Sequence, residues 1–216
     1  DFLTGGVKLN LSYVIRGGHR VYADAAYVAD APRFNQAFVS PRTRNSIVPD
    51  LKTSKTFAAD LNYAYSNSGY DVRVTGYYTT IKDQSKVMSF YDDAQNSFTN
   101  FAMSGMDERH VGVELGFKVP LPVPNLSLQG VLSYGQYVYT SNPVMYQTYD
   151  NSAAIVEETY GVTIPYWKSH PTAEGKTVKH YVSGTPQLAT SLGLAWNKNY
   201  WFVDADVDWF DKAYLD

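Results

Sequence analysis

The stretch WFVDADVDW at 201–209 decides how this sequence folds, because its polarity alternates at almost every position. In an extended chain, successive side chains point to opposite faces of the sheet. One face of this stretch would be apolar and the other would carry three carboxylates: Trp201, Val203, Ala205, Val207 and Trp209 oppose Asp204, Asp206 and Asp208. A run of this length exceeds the usual soluble strand of about 5–6 residues and suits a membrane strand of about 9–11 residues.

Seven further runs alternate in the same way, and each is also long. A soluble sandwich can show this alternation, but eight consecutive long strands favour a barrel in a membrane. The sequence therefore predicts an all-β fold, an antiparallel transmembrane β-barrel segment of about eight long strands. The seven other runs are 7–15, 19–29, 57–66, 70–78, 110–119, 126–134 and 187–196.

The connections between these runs alternate strictly between short and long. This alternation is typical of bacterial barrels, which have short periplasmic turns and longer extracellular loops. We therefore interpret residues 1–216 as one partial transmembrane β-barrel domain, and we expect a hairpin from 86–91 and 97–103 inside the second long connection. The short connections lie near 16–19, 67–69, 120–125 and 197–199. The long connections are 30–53, 83–107 and 139–185.

Aromatic residues mark both ends of several predicted apolar faces. In three strands the two aromatic residues are eight positions apart, which corresponds to about 20 Å along the membrane normal for a tilted strand. That separation is close to the apolar band of about 25 Å between the aromatic girdles of outer-membrane barrels. The pairs are Phe57 with Tyr65, Tyr70 with Tyr78, and Trp201 with Trp209.

Composition excludes several other classes of protein. The chain has no cysteine, which rules out disulfides and thiolate metal sites. Its net charge is −3 and is spread along the chain without a basic patch, so we predict no nucleic-acid partner. Mean hydropathy is −0.31, which is unremarkable for a barrel because lipid-facing and lumen-facing residues alternate.

Five segments, taken in order, resemble the C-terminal half of TonB-dependent receptors of the Bacteroidetes kind. The individual motifs are loose, but their order and spacing cover nearly the whole chain apart from the interior of the loops. The segments are AAYVADAPRFNQAF (25–38), LKTSKTFAADLNYAY (51–65), YDVRVTGYYTTIKD (70–83), ERHVGVELGFKVPLPVPNLSLQGVLSYGQYVY (108–139) and GTPQLATSLGLAWNKNYWFVDADVDWFDKAYLD (184–216).

The resemblance implies a 22-stranded barrel in the bacterial outer membrane, in contact with lipid. It also implies an N-terminal plug that couples to TonB, active uptake of a nutrient ligand, and surface lipoproteins or other complex subunits as further partners. No plug is visible in these residues, and eight strands cannot enclose one. Two alternatives therefore remain open at this point: a scaffold barrel in an outer-membrane complex, and a small complete barrel of the OmpA type.

Two groups of candidate site residues follow from the pattern. Aromatic residues in the third long connection can stack on a ligand or pack the loop against itself: Tyr146, Tyr149, Tyr160, Tyr166 and Trp167. Polar residues on the predicted lumen-facing side of the strands form the second group: Asp60, His110, Glu114, Asp204, Asp206 and Asp208.

No catalytic or metal-binding constellation is apparent in the sequence. His170 and His180 share the third long connection with Glu157, Glu158 and Glu174, but they lack the close spacing of metal ligands. No glycine-rich phosphate loop, Gly-x-Ser-x-Gly elbow or His-Glu-x-x-His motif is present. The sequence therefore predicts no enzyme, no metal site and no cofactor.

Overall fold

One continuous antiparallel sheet of eight long strands dominates the structure. The structure is a computed structural model, and it describes residues 2–40, 45–93, 96–150, 154–156 and 158–215. The strands follow one another across the sheet in chain order, with β11 beside β6 because β7 to β10 lie in the connection between them. The eight are β1 (Gly5–Val14), β2 (His19–Asp30), β3 (Ser54–Asn67), β4 (Tyr70–Asp92), β5 (Ser97–Pro120), β6 (Leu126–Tyr139), β11 (Leu188–Lys198) and β12 (Trp201–Asp211).

The remaining elements are short. They are α1 (Phe34–Ala37), β7 (Val144–Tyr149), β8 (Val162–Thr163), β9 (His170–Pro171) and β10 (Thr177–Val178). In the described residues, no helix is long and apolar enough to cross a membrane.

All eight predicted long strands are confirmed, and β4 and β5 extend furthest beyond their predicted bounds. β4 has 23 residues and β5 has 24, so most of the predicted connection 83–107 is strand. The hairpin expected from 86–91 and 97–103 is confirmed as the outer part of this pair; residues 94 and 95 of its predicted tip lie outside the described residues. A register shift between Ile81 and Ser85 separates the outer part from the rest, next to Asp83 and Gly105 at positive φ.

The strand register places the predicted apolar side chains on one face of the whole sheet. In one row across the strands, Leu11 pairs with Ala23, Ala23 with Leu61, and the row continues to Val113 and Tyr134. This apolar face is uncovered by protein: Leu11 is 64% exposed and Val113 is 55% exposed. The opposite, polar face carries the alternate residues. A sheet with so much uncovered apolar surface requires lipid on that side.

The two ends of the sheet differ in what they carry. Turns of a few residues close one end, which we call the short-turn end, near 16–19, 67–69, 120–125 and 197–199. At the other end the long connections fold into a compact unit, which we call the strand-end module. It comprises the outer part of the β4–β5 hairpin, β7, β8 and the segments 30–53 and 139–185, as far as these are described.

The strand-end module contains the two clusters of buried apolar side chains that the described residues form. Ala102 and Met103 are consecutive on β5, so their side chains lie on opposite faces of the hairpin. The first cluster contains Val39, Val48, Ala102 and Tyr146 and joins segment 30–53 to one face. The second contains Met103, Met106 and Tyr139, with Ile164, Trp167 and Val182 packed against it, and joins segment 139–185 to the other face. The hairpin is therefore sandwiched between two of the long connections.

The turn between β1 and β2 depends on Gly18. Its φ is +87°, and a Cβ at this position would lie 2.3 Å from the carbonyl oxygen of Ser66. The two residues are also hydrogen-bonded: the backbone N–H of Ser66 donates to the carbonyl of Gly18 at 2.9 Å. The neighbouring hairpin of β3 and β4 is thus anchored to this turn.

Gly18→Ala is expected to lower the free energy of unfolding by about 1–3 kcal/mol, because a side chain adds strain at positive φ and collides with the Ser66 backbone. Urea unfolding of the full-length protein in detergent micelles measures the change. Gly116→Ala is the matched control, because a Cβ there meets nothing within 4 Å. Equal stability of the two variants would contradict this account of the turn.

Candidate ligand site at the strand ends

A polar network ties three parts of the strand-end module together around Asp150. The Ser40 hydroxyl donates to Asp150 Oδ1 at 2.5 Å, and the Asn100 amide donates to the same oxygen at 2.9 Å. The Ser89 hydroxyl donates to Asn100 Oδ1 at 2.6 Å. The network borders a cavity of about 190 Å³. A single carboxylate therefore joins segment 30–53, the β4–β5 hairpin and the residue that follows β7.

Asp150→Ala is expected to weaken the packing of segment 30–53 on the hairpin, lowering the free energy of its local unfolding by about 1–3 kcal/mol. The reason is that Ser40 and Asn100 are buried and would lose their acceptor. Hydrogen exchange at the Val39 amide, which donates to the carbonyl of Ser46, should then become faster. Asp204→Ala on β12 is the control, since it lies far along the chain from this network. Unchanged exchange at Val39 in Asp150→Ala would show that the network does not hold the segment.

A second, larger recess lies where segment 30–36 passes over the start of β3 and the middle of β4. Its volume is about 300 Å³, and its charged lining residues are Asp30, Arg33, Lys52 and Asp83. Asp83 Oδ2 accepts from Lys55 at 3.4 Å, and Asp83 Oδ1 lies 3.8 Å from Lys52. The side-chain nitrogen of Gln84 is buried beside this recess and has no hydrogen-bond partner within the described part of the chain. This rim recess is thus lined by charges of both signs, with an unpaired, buried amide nitrogen beside it.

Two of the five predicted aromatic residues are core residues of the module. Tyr146 is 4% exposed, and its hydroxyl donates to Asp50 Oδ2 at 2.9 Å. Burial, followed by this hydrogen bond, raises the pKa of the Tyr146 phenol, so the hydroxyl remains a donor. Tyr160 meets its ring edge-on, with 5.2 Å between the ring centroids. Tyr146 and Tyr160 therefore pack the loop against itself.

The other three aromatic residues have different surroundings. Tyr149 ends β7 opposite Thr99 and is half-buried. Trp167 packs between Tyr139 and His180, with ring centroids 5.2 Å and 4.4 Å away. Tyr166 is 69% exposed and its ring lies 4.7 Å from that of His170. Of the five, Tyr166 presents the most accessible ring to a ligand.

The predicted lumen-facing residues all lie on the polar face, but the structure does not gather them into one site. Asp60 accepts a hydrogen bond from Asn62 and lies opposite Asp24 on β2. His110 Nε2 lies 2.9 Å from Glu108 Oε2. Glu114 is opposite Thr75 and Ser133, at a different level of the sheet.

The three aspartates of β12 form a separate stripe at the edge of the sheet. Asp206 accepts from the Gln129 amide at 3.4 Å. Its side chain folds over Gly193 of β11, where a Cβ would collide with it. Asp204 and Asp208 lie opposite Ala195 and Ser191. This stripe is too far across the sheet from Asp60 for the two to share a ligand, since four strands lie between β3 and β12.

Sequence reasoning did not anticipate an array of rings on the polar face. The hydroxyls of Tyr77 and Tyr137 lie 2.6 Å apart, and the ring of His110 is 4.9 Å from that of Tyr137. Gly112 and Gly135 make this possible, because a Cβ at either position would collide with one of the two tyrosines. Gly112 lies opposite Tyr77 on the neighbouring strand, whereas Gly135 is two residues before Tyr137 on β6. The glycines and tyrosines were visible in the sequence, but only the register shows which of them meet.

Among the described residues, no group of three His, Asp or Glu side chains comes close enough to hold a metal ion. Glu157, which the sequence placed in one loop with His170 and His180, lies outside the described residues.

The geometry of the strands defines the class of protein. Antiparallel strands of ten residues or more, apolar on one face and polar on the other, form the wall of a membrane β-barrel. The family model described as "TonB dependent receptor-like, beta-barrel" matches residues 7–215, and the chain belongs to this family. It is therefore a protein of the bacterial outer membrane, as the sequence predicted.

Solved structures show the same fold. The chain is similar to one described as "Copper transporter OprC", with a TM-score of 0.62 at 15% sequence identity. The match covers 99% of this chain and 28% of that one, so the chain spans less than a third of the transporter it resembles. No curated protein sequence matches the chain.

Proposed function

We propose that this chain is part of the barrel wall of a TonB-dependent transporter that takes up a ligand across the outer membrane. The observation that carries the proposal is the family match over residues 7–215, together with a sheet that is apolar on one face and polar on the other. The apolar face contacts lipid, and the polar face lines a lumen that further strands close. A plug in this lumen couples to TonB, as in the family that the sequence resembles. The Bacteroidetes type and a total of 22 strands stay predictions.

The proposed orientation puts the short-turn end in the periplasm and the strand-end module outside the cell. Support comes from the alternation of short and long connections, which is the rule in bacterial barrels. The module is also the part with buried apolar clusters, so it can keep a defined shape in water without lipid. A fixed shape above the mouth of the barrel suits the capture of a ligand.

Within the module, the rim recess and Tyr166 are the candidate contacts for the ligand. The recess combines a volume at the lower end of the range for small-molecule sites with an unpaired amide donor at Gln84. Tyr166 supplies an exposed ring for stacking. Tyr146 and Tyr160 contribute to the site only by holding the module in shape. The similar structure is that of a copper transporter, and the likeness of this chain to it concerns the fold alone.

Comparative depletion of growth medium tests the proposal for a ligand of any chemical class. Compounds removed by cells with the full-length protein are identified by mass spectrometry and compared with cells that lack its gene, lack TonB, or are treated with a protonophore. We expect the compounds that cells with the protein remove to remain in the medium of all three comparison cultures.

A different outcome would favour the scaffold alternative. If loss of the gene leaves uptake intact but removes other proteins from the outer membrane, the barrel serves assembly. Surface lipoproteins recovered with the detergent-solubilised protein would identify the partners of such a complex.

Gln84→Ala in the rim recess should slow uptake of the ligand, whereas Gln129→Ala on the polar face should not.

A further inference from the structure

Three cationic side chains lie on the apolar face of the sheet, beside the strand-end module. They are Lys55 of β3, Lys82 of β4 and Arg109 of β5, and we call them the basic cluster. Strand alternation puts Lys55 on the same face as Phe57, and Lys82 on the same face as Tyr78. The two lysines are direct cross-strand partners. Like charges directly opposite each other destabilise a sheet, so this pair needs an explanation.

Arg109 completes the cluster on the next strand. It lies opposite Thr80, and Lys82 is two residues beyond Thr80 on the same face of β4, so Arg109 and Lys82 are diagonal neighbours. Diagonal pairs in a sheet are about 7–8 Å apart, which long side chains can span. The Nε of Arg109 is buried and has no hydrogen-bond partner within the described part of the chain. One anion could therefore reach all three cations.

One carboxylate offsets part of this charge. Asp83 Oδ2 lies 3.4 Å from Lys55 Nζ, and its Oδ1 lies 3.8 Å from Lys52 Nζ. Asp83 thus has two cationic partners of its own, and Lys55 is the only member of the basic cluster that forms an ion pair with it among the described residues.

The other acidic residues of this stretch leave the rest of the cluster uncompensated. Asp107 Oδ1 accepts the backbone N–H of Asp83 at 2.9 Å. Glu108 and Asp30 alternate onto the polar face, on the other side of the sheet. Across residues 2–40, 45–93, 96–150, 154–156 and 158–215, Lys82 and Arg109 take part in no ion pair.

An open groove of about 640 Å³ lies against the two lysines on this face. Its walls include the rings of Tyr27, Phe57 and Tyr78, and each of these residues is between 41% and 43% exposed. The groove therefore combines cationic side chains with accessible aromatic rings. It opens toward lipid, because it is part of the face that protein leaves uncovered.

The position of the cluster relative to the rings corresponds to the level of lipid head groups. Aromatic girdles of outer-membrane barrels mark the boundary between hydrocarbon and head groups. Lys55 is two residues beyond Phe57, which is about 5 Å farther along the membrane normal for a tilted strand. Phosphate suits this place, since its oxygens point in several directions and can accept from cations on three strands.

We propose that Lys55, Lys82 and Arg109 bind the phosphate of one phosphorylated lipid in the outer leaflet, with an acyl chain along the rings of Tyr27 and Phe57. The inference rests on the proposed function, whose orientation puts the strand-end module outside the cell. The charge of the cluster supplies the attraction for the phosphate, and the uncovered apolar face supplies the surface for the chain. The bound lipid then separates the like charges of Lys55 and Lys82 by an anion.

Native mass spectrometry of the full-length protein in detergent micelles tests the proposal, with phosphatidic acid as the probe. We expect one tightly bound molecule per protein, and binding at least tenfold weaker in the double variant Lys82→Gln/Arg109→Gln. This variant removes the two unpaired cations and keeps the ion pairs of Asp83. Lys198→Gln is the matched control and should bind as the unchanged protein does, because Lys198 is an exposed cation on the same face at the short-turn end.

Two further probes identify what the cluster recognises. Phosphatidylcholine, whose ammonium group neutralises its phosphate, should bind at least tenfold more weakly than phosphatidic acid. Inorganic phosphate at the same concentration should not displace phosphatidic acid, because it has no chain to fill the groove.

Three results would overturn the proposal. Equal binding of phosphatidic acid by the double variant would show that the cluster holds no phosphate. Equal binding of phosphatidylcholine would indicate apolar contact alone, and displacement by inorganic phosphate would identify a site for a free anion. Since binding is measured on purified protein without TonB, each of these results leaves the transport proposal standing, and a failure of the uptake experiment does not change the binding measurement.

Discussion

Leu192→Arg is expected to destabilise the barrel by about 2–4 kcal/mol, because it places a charge on the lipid-facing side near the middle of the membrane. Leu192 lies at the centre of β11, is 52% exposed, and has apolar Val207 opposite it on β12. In lipid the arginine would lose its hydration without gaining a partner. Urea unfolding of the full-length protein in lipid vesicles measures the loss.

The adjacent residue provides a matched control. Ser191 points to the polar face and lies opposite Asp208, so Ser191→Arg introduces the same charge beside a carboxylate in water. Its free energy of unfolding should change by less than about 1 kcal/mol. If both variants lose the same stability, the assignment of the two faces is wrong. If neither variant loses stability, the uncovered face of the sheet does not contact lipid.

Tyr146→Ala is expected to unfold the strand-end module locally, with a loss of about 3–5 kcal/mol. Tyr146 is buried in the first apolar cluster, contacts Tyr160, and donates its hydroxyl to Asp50. The substitution removes the ring and leaves the Asp50 carboxylate without this donor. Limited proteolysis should then cut within segments 30–53 and 139–185, while the strands of the barrel remain resistant.

Two further variants separate the contributions to this effect. Tyr146→Phe keeps the ring and should cost about 1 kcal/mol, the value of one hydrogen bond. Tyr166→Ala removes an exposed ring from the same connection and should leave proteolysis unchanged. Rapid cleavage in Tyr166→Ala, or resistance in Tyr146→Ala, would reverse the roles that the structure gives these two residues.

Sequence reasoning worked best where one rule acts on every residue of a strand. The alternation from 201 to 209 depends only on the two-residue period of the backbone, and β12 forms over this run and continues to Asp211. The turn positions followed from residues that accept positive φ, such as Gly69 and Asn199. Both signals are local, so they could be read without knowing which strands are neighbours.

The candidate site depends on contacts between distant parts of the chain, and there the sequence was less informative. Tyr146 and Tyr166 belong to the same aromatic set by composition, yet the first is buried against Val39 and Val48 while the second is exposed. Nothing within segment 139–185 identifies the residues of segment 30–53 that cover it. The rim recess likewise arises from three stretches, 30–36, 52–56 and 81–85, that meet only in the folded chain.

By itself, the sequence determined the strands, their two faces and the type of connection between them, because backbone geometry and the polarity of neighbouring residues fix these locally. Only the tertiary structure decided that β4 and β5 extend into the strand-end module, that Tyr77 lies over Gly112, and that Lys55 lies opposite Lys82. These features depend on the register between strands, which packing across the whole sheet sets.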